Sequence, residues 1–287
     1  MVVNLIEETD FNMKKIDIHC HTSSRIISDC ISPDASVGHI ACLMNEYDVE
    51  KTVLLATYFP HKGTGVSNFH LNNWIRHADQ FFMFGSLDFE HYFYQGLNEI
   101  EELAYEKLIR GIKIYTCYQD VDIKSDKFDK VMQLALLHNL PVMFHAGVSY
   151  AAYRKYKKKT ISQLYTAREL AYVAEKYTDL DFIFSHLSKP NFDDMVKTAI
   201  IYPNVYSDVS GLIDSKYNRD EIPNCIEQVN KFVNECGPEK LLFGTDFPVQ
   251  SHEDSIKFVE EGMEGFSDED KQKVYYDNAA NLLKLEG

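Results

Sequence analysis

The chain has 287 residues and a formal net charge of -15 at pH 7, which argues against nucleic acid or an anionic membrane surface as its partner. Its 45% hydrophobic and 25% charged residues are typical of a soluble globular enzyme. The six cysteines lack close paired spacing and the N-terminal residues lack a signal-peptide pattern, so a cytoplasmic location without membrane spans is expected.

Eight short runs rich in β-branched and aromatic residues predict strands. In chain order they cover residues 15–21, 51–57, 81–87, 111–116, 141–147, 181–187, 204–210 and 240–246, with the last polar residue of the fifth and sixth runs one or two positions before the end of the run. Amphipathic stretches with helical spacing follow several of these strands. They predict helices at 98–109, 126–139, 160–177, 251–263 and 267–285. In the last helix Ser267 precedes Asp270 by three residues, which is a weak capping box.

Alternating strands and helices over a chain of this length predict a (β/α)8 TIM barrel that forms a single domain over residues 1–287. The competing architecture is an open doubly wound sheet, which normally brings a Gly-rich phosphate-binding turn after a strand. No such turn is present in the sequence. Residues 58–80 are irregular at first, and we expect them to form a loop over one mouth of the barrel.

The first predicted strand ends in "IDIHCH", with His19 and His21 one residue apart. Side chains alternate along a strand, so both imidazoles are expected on one face with Asp17 below them. Ile18 and Cys20 would then point to the opposite face.

Polar side chains also lie at or near the ends of the fifth, sixth and eighth predicted strands, where they are His145, His186 and Asp246. Barrel closure would bring them to the rim that carries His19 and His21, where the sites of such barrels lie. Imidazole nitrogen and carboxylate oxygen are the ligands that a zinc-like cation prefers. We therefore predict a metal site formed by His19, His21, His145 and Asp246, with a metal that activates water or polarises a substrate oxygen.

Further roles are predicted for residues of this rim. Asp246 is expected both to touch the metal and to accept a proton from the water, and His186 to act as acid or base or to bind a second metal. Tyr115 and the loop residue Arg25 are candidate substrate-binding groups, as is Lys113 on the fourth strand. Three roles are open for Lys113: pairing with a buried carboxylate such as that at position 17, binding a substrate anion, or bridging two metals after carbamylation. We favour the first two.

The ordered motifs "IDIHCH", "GIKIY", "PVMFHAG", "FIFSHLS", "LLFGTDFP" and "NAANLLKL" resemble the amidohydrolase superfamily, and specifically its amidohydrolase 2 branch. The resemblance implies a metal-dependent barrel whose ligands match His19, His21, His145 and Asp246. It implies one metal ion more often than two; zinc is expected first, with manganese or iron as alternatives. Related enzymes are often dimers, so a homodimer is compatible with the resemblance.

The branch contains two chemistries, and the residues do not separate them. The leading hypothesis is a hydrolase in which metal-activated water attacks a C–O or C–N bond of a small carboxylate-bearing ester, lactone or amide. The alternative is a nonoxidative decarboxylase of a small unsaturated or aromatic acid, similar to amino-carboxymuconate semialdehyde decarboxylase. A noncatalytic binding barrel is a third hypothesis, and it predicts that metal removal leaves ligand binding unchanged.

Overall fold

The eight predicted strands form one parallel sheet in the order β1 to β8, in a computed structural model that describes residues 13–58, 65–148 and 165–285. The strands are Lys15–Cys20 (β1), Val49–Leu55 (β2), Phe81–Ser86 (β3), Gly111–Ile114 (β4), Val142–Phe144 (β5), Phe182–Phe184 (β6), Val205–Asp208 (β7) and Leu241–Leu242 (β8). The strands that follow β3 stop earlier than the sequence patterns do, because the chain leaves the sheet at the residues that form the site.

The sheet closes on itself where β8 returns to β1. Beyond β8, the backbone N–H of Thr245 donates to the carbonyl of His19, and the N–H of Ile18 donates to the carbonyl of Phe243. All neighbouring strands run parallel, as helical crossovers between successive strands require. The prediction of a (β/α)8 TIM barrel is confirmed.

Helices surround the strands. They are Val37–Glu46 (α1), Asn68–Ile75 (α2), Phe93–Tyr105 (α3), Asp126–His138 (α4), Ala167–Lys176 (α5), Phe192–Ile201 (α6), Ile222–Cys236 (α7), His252–Gly262 (α8), Asp268–Gln272 (α9) and Asn278–Leu283 (α10). The side chain of Ser267 accepts from the N–H of Asp270, so the predicted cap of the last helical region is confirmed. In the described ranges, no helix has both the length and the apolar character needed to cross a membrane.

Some predicted boundaries need correction. The region predicted as one helix over 267–285 is interrupted by a π-helical turn at Lys273–Asp277. The predicted loop over 58–80 contains α2, because Ser67 caps a helix there. Residues 59–64 of that loop and 160–164 of the predicted helix 160–177 lie outside the described residues.

The barrel interior has an apolar lower layer. This lower layer consists of the buried side chains of Ile16, Ile18, Val53, Leu55, Phe84, Met143, Ile183 and Leu242. Residues of α10 pack against this layer, and Asn278 at the start of α10 donates to the carbonyl of Leu241 at the start of β8. The last helix therefore covers the end of the barrel at which the strands begin, and polar groups collect at the other end.

The simple alternation expected for β1 is wrong. Ile18 packs in the interior layer, Cys20 packs on the outer side among the helices, and the pairing of β1 with β2 shifts register between Asp17 and Cys20. Such an irregularity re-aims the side chains that follow it. Asp17 therefore lies on the outer side, with its Oδ2 3.9 Å from His252 Nε2 of α8, while His19 faces the interior.

Candidate metal centre

His19 is buried at the end of β1, and its two ring nitrogens face partners of opposite kind. Nδ1 lies 3.0 Å from Asp208 Oδ2 and 2.9 Å from Ser210 Oγ. Nε2 lies 3.4 Å from Lys113 Nζ and 3.5 Å from Asp246 Oδ1. A carboxylate only accepts hydrogen bonds and an ammonium only donates them. Because Asp208 at 3.0 Å is closer to Nδ1 than Asp246 at 3.5 Å is to Nε2, Nδ1 carries the proton and Nε2 presents its lone pair toward Lys113. Burial and the charge of Lys113 lower the pKa of His19 to about 3.

His21 and Asp246 complete a compact group with His19. His21 Nε2 lies 3.1 Å from Asp246 Oδ1, and one ligand atom from each of the three residues lies within 4.8 Å of the others. Asp246 has a φ of 56°, and its N–H donates to the carbonyl of His19 over 2.7 Å. Burial alone would raise the pKa of Asp246, but the hydrogen bond from His21 and the nearby imidazoles hold it below its usual range.

His186 lies in a turn of three successive residues with positive φ, at 65°, 46° and 56°. Such left-handed backbone is costly for residues with side chains and concentrates at functional sites. The N–H of His186 donates to Asp208 Oδ1 over 2.9 Å, and Nδ1 lies 2.7 Å from the carbonyl of Ser210. A carbonyl only accepts, so Nδ1 carries the proton and Nε2 of His186 is an acceptor.

His145 follows β5 and contacts His186 instead of joining the compact group. Its Nδ1 lies 3.2 Å from His186 Nε2, so this nitrogen donates and the lone pair of His145 is on Nε2. That Nε2 is buried and has no hydrogen-bond partner among the residues that the structure describes. A buried acceptor without a partner is costly, which indicates that a cation or a ligand satisfies it.

Gly211 lies directly against the side chains of His186 and Asp246. Its φ is 57°, and a Cβ at this position would lie 2.7 Å from both Asp246 Oδ2 and His186 Nδ1. Both the backbone conformation and the lack of space therefore require glycine here. The close approach lets the loop after β7 pack directly on the site.

Lys113 is fully buried on β4 beside the compact group. Its ammonium donates to Ser185 Oγ over 3.2 Å and lies 5.4 Å from the ring centre of Tyr115. Burial lowers the pKa of Lys113 to about 8. The expected pairing with Asp17 is not formed, because Asp17 faces outward and accepts from Thr245 and from the N–H of residue 19.

The other two predicted substrate-binding residues differ in position. The ring of Tyr115 is buried, and its centre lies 6.2 Å from that of His21. Arg25 is exposed in the loop after β1, where its backbone pairs with the hydroxyl of Ser23. The structure therefore places Tyr115 beside His21, whereas Arg25 lies on an exposed loop that follows β1.

The donor set fits a divalent cation. The lone pair of His19 Nε2, the ring of His21 and the carboxylate of Asp246 are the nitrogen and oxygen ligands that zinc and manganese accept. The buried Nε2 of His145, whose Nδ1 contacts His186 Nε2, offers a further lone pair. His19, His21 and Asp246 would hold the cation.

Asp208, Ser210 and Gly211 contact the site, but the sequence analysis did not select them. A signal was present for two of them, because the predicted seventh strand, 204–210, contains Asp208 near its end and finishes at Ser210. Nothing in the local sequence marks Gly211, whose contacts depend on how β7 lies against its neighbours.

A family model for amidohydrolases matches residues 51–285 of the chain. No curated protein matches the chain. Among solved structures, a "probable 2-pyrone-4,6-dicarboxylic acid hydrolase" from Acinetobacter baumannii with bound citric acid has a TM-score of 0.68 and 18% identity, covering 95% of this chain and 100% of that one. An amidohydrolase from Burkholderia multivorans with bound zinc has a TM-score of 0.71 and 14% identity, with 95% and 100% covered. A dihydroxybenzoic acid decarboxylase from a Polaromonas species, with bound manganese and the inhibitor 2-nitroresorcinol, has a TM-score of 0.66 and 16% identity, with 95% and 97% covered.

Proposed function

This chain belongs to the amidohydrolase family, and from that premise we propose that it is a metal-dependent hydrolase. Its proposed substrates are small carboxylate-bearing esters, lactones or amides, in which a C–O or C–N bond is cleaved. The observation that carries this proposal is the position of Asp246, whose Oδ1 lies 3.1 Å from His21 Nε2 and 3.5 Å from His19 Nε2. A carboxylate placed among the ligand atoms is suited to take a proton from water.

The proposed metal is a single divalent ion, with zinc expected first and manganese or iron as alternatives. His19, His21 and Asp246 would hold it, with His145 as the proposed fourth ligand. When bound, such a metal lowers the pKa of a water molecule and polarises a substrate oxygen.

The residues then have distinct tasks in hydrolysis. Asp246 accepts a proton from the water whose oxygen adds to the substrate carbonyl, and this proton is returned to the oxygen or nitrogen that leaves when its bond to carbon breaks. The Nε2 of His186 is an acceptor, so in this tautomer His186 can accept a proton and does not donate one to the developing negative oxygen. We propose that the ammonium of Lys113 binds the substrate carboxylate or that oxygen.

A nonoxidative decarboxylase is the second candidate, and Lys113 is the observation that favours it. A buried ammonium beside the ligand group could hold the carboxylate that leaves and supply the proton that replaces it on carbon. Hydrolysis is preferred because Asp246 and the buried Nε2 of His145 are acceptors, which suits the removal of a proton from water.

Elemental analysis of the purified protein tests the metal, with His19→Ala as the matched variant. We expect stoichiometric divalent metal in the wild type and its loss in the variant. The absence of such a metal from the wild type, both as purified and after loading, would contradict the proposal.

Product analysis tests the reaction. The metal-loaded protein is incubated with a panel of small lactones, esters and aromatic acids that bear a carboxylate. A new carboxylic acid without carbon dioxide supports hydrolysis. Release of carbon dioxide from an intact acid would establish the second candidate instead.

A further inference from the structure

We propose that Asp208 is a positioning residue, which fixes the proton on His19 and the backbone turn that carries His186. The proposal rests on the proposed function, because it concerns how the chain prepares the ligand atoms for a metal. Asp208 lies at the end of β7 and is fully buried.

The two ring nitrogens of His19 have different partners. Asp208 Oδ2 lies 3.0 Å from His19 Nδ1, and Lys113 Nζ lies 3.4 Å from Nε2 on the other side of the ring. An acceptor on one nitrogen and a donor on the other select a single tautomer, with the proton on Nδ1. Only in this tautomer is the Nε2 lone pair available to a cation, and a carboxylate behind a ligating imidazole is the usual device that secures it.

Asp208 also binds the backbone of the turn after β6. Asp208 Oδ1 accepts from the N–H of His186 over 2.9 Å and from the hydroxyl of Ser210 over 2.6 Å. The first of these bonds holds a residue whose φ is 65°, a conformation that persists only when its surroundings enforce it. One carboxylate thus connects the histidine that ends β1 with the histidine that follows β6.

Asp208 is not itself a metal ligand in this arrangement. One ligand atom each of His19, His186 and Asp208 lies within 4.8 Å of the others, so these residues could in principle hold a cation. However, Oδ2 faces the N–H of His19, and Oδ1 already accepts from the backbone and side chain of neighbouring residues. A cation at Asp208 would have to displace these donors, which already satisfy both oxygens.

Asp208→Asn keeps the size and shape of the side chain but replaces one of its two accepting oxygens with a nitrogen that donates. An amide has one accepting oxygen, so its nitrogen must face either the N–H of His19 or the donors from His186 and Ser210. Either choice breaks one of the two connections. Substitution of such supporting groups typically weakens metal binding about 10- to 100-fold, and we expect a loss of that size.

The matched control is Ser207→Ala, because Ser207 is also buried on β7 but its hydroxyl donates to the carbonyl of Phe184. Zinc dissociation constants of wild type, D208N and S207A are measured by competition with a chromogenic chelator. We expect S207A to stay within about twofold of the wild type. Equal affinity in D208N and wild type would overturn the positioning role.

A second measurement keeps the test decisive if D208N does not fold. The imidazole nitrogen-15 spectrum of metal-free wild type reports which ring nitrogen of His19 bears the proton, with His19→Ala to assign the signals. A proton on Nδ1 supports the proposal, and a proton on Nε2 overturns it. If the wild type binds no zinc, the proposed function fails, and this spectrum alone decides the role of Asp208.

Discussion

The two layers of the barrel interior are built from opposite chemistry: the lower layer is apolar, and the layer above it, which we call the upper layer, contains His19, Lys113, Asp208 and Asp246. Ile183 in the lower layer and Asp208 and Lys113 above it all have no exposed surface. Burial of the apolar side chains is itself stabilising, whereas burial of the charged ones costs free energy unless each is paired. The lower layer therefore supplies stability, and the upper layer uses part of it to hold a defined set of polar atoms.

Single strands cross from one layer to the other. In β6, Ile183 belongs to the lower layer, and Ser185, two residues later, accepts from Lys113. Beyond β8, Leu242 is in the lower layer and Asp246 is in the site. The same backbone that is held by apolar packing thus positions the polar groups, and substitutions in the two layers should separate stability from function.

The largest expected effect is on turnover. Asp246→Asn keeps the size of the side chain but removes a proton acceptor, and we expect kcat to fall about 10²- to 10⁴-fold on the substrate found by product analysis. The melting temperature should change little. Asp193→Asn, at an exposed carboxylate paired with Lys231, is the control. If D246N retains activity within about tenfold of the control, Asp246 is not the proton acceptor.

A substitution in the lower layer is expected to lower stability and to leave zinc binding unchanged. Ile183→Ala removes a fully buried side chain and leaves a cavity, so the free energy of unfolding should fall by about 2–5 kcal/mol. Zinc affinity of the folded protein should not change. Denaturant unfolding measures the first quantity, with Leu137→Ala at a leucine that is 74% exposed as the control. A loss of zinc affinity comparable with that expected for a ligand-supporting residue would show that the two layers are coupled.

A smaller effect is expected from the buried ammonium of Lys113. Its pKa is about 8 in the folded chain against an ordinary value of 10.5, so between these values the unfolded chain binds more protons. Stability should therefore rise with pH across this window, by about 1.4 kcal/mol per pH unit at most, and should be insensitive to this group below it.

Urea unfolding of wild type and Lys113→Met in the presence of chelator measures this dependence. The difference between the two proteins should shift in favour of the wild type as the pH rises from about 8 to about 10. Lys257→Met, at a half-exposed lysine paired with Glu261, should not show the shift. Parallel pH profiles for wild type and K113M would mean that burial of this charge has no net cost.

The fold could be predicted almost completely from sequence, because each strand is a distinct apolar run. The ends were less predictable: the predicted strand 181–187 continues past Phe184 to Leu187, but β6 ends at Phe184 and the chain turns into left-handed backbone at His186. Hydrophobic pattern shows where a strand is buried and carries no information on where its hydrogen-bonded ladder stops.

The site could be predicted only as far as strand ends can be recognised. Barrel closure brings His19, His21 and Asp246 together as expected, but the register shift in β1 moves Asp17 to the outer side, and local sequence does not encode it. The same limit applies to Gly211, whose necessity depends on atoms 25 and 35 positions away in the chain. Contacts of this kind depend on how strands lie beside one another.

The smallest expected effect tests whether the outer side of β1 belongs with the lower layer or with the site. Thr245 donates its hydroxyl to Asp17 Oδ2 over 2.6 Å, so Thr245→Val should cost about 1.5 kcal/mol of unfolding free energy. Thr198→Val, where the lost bond is to a neutral carbonyl in α6, should cost about 1 kcal/mol. Zinc affinity should be unchanged in both, because Asp17 and His19 face opposite sides of β1. If T245V weakens zinc binding and T198V does not, the outer hydrogen bonds also position the ligands, and the division between a stabilising layer and a functional layer fails at this strand.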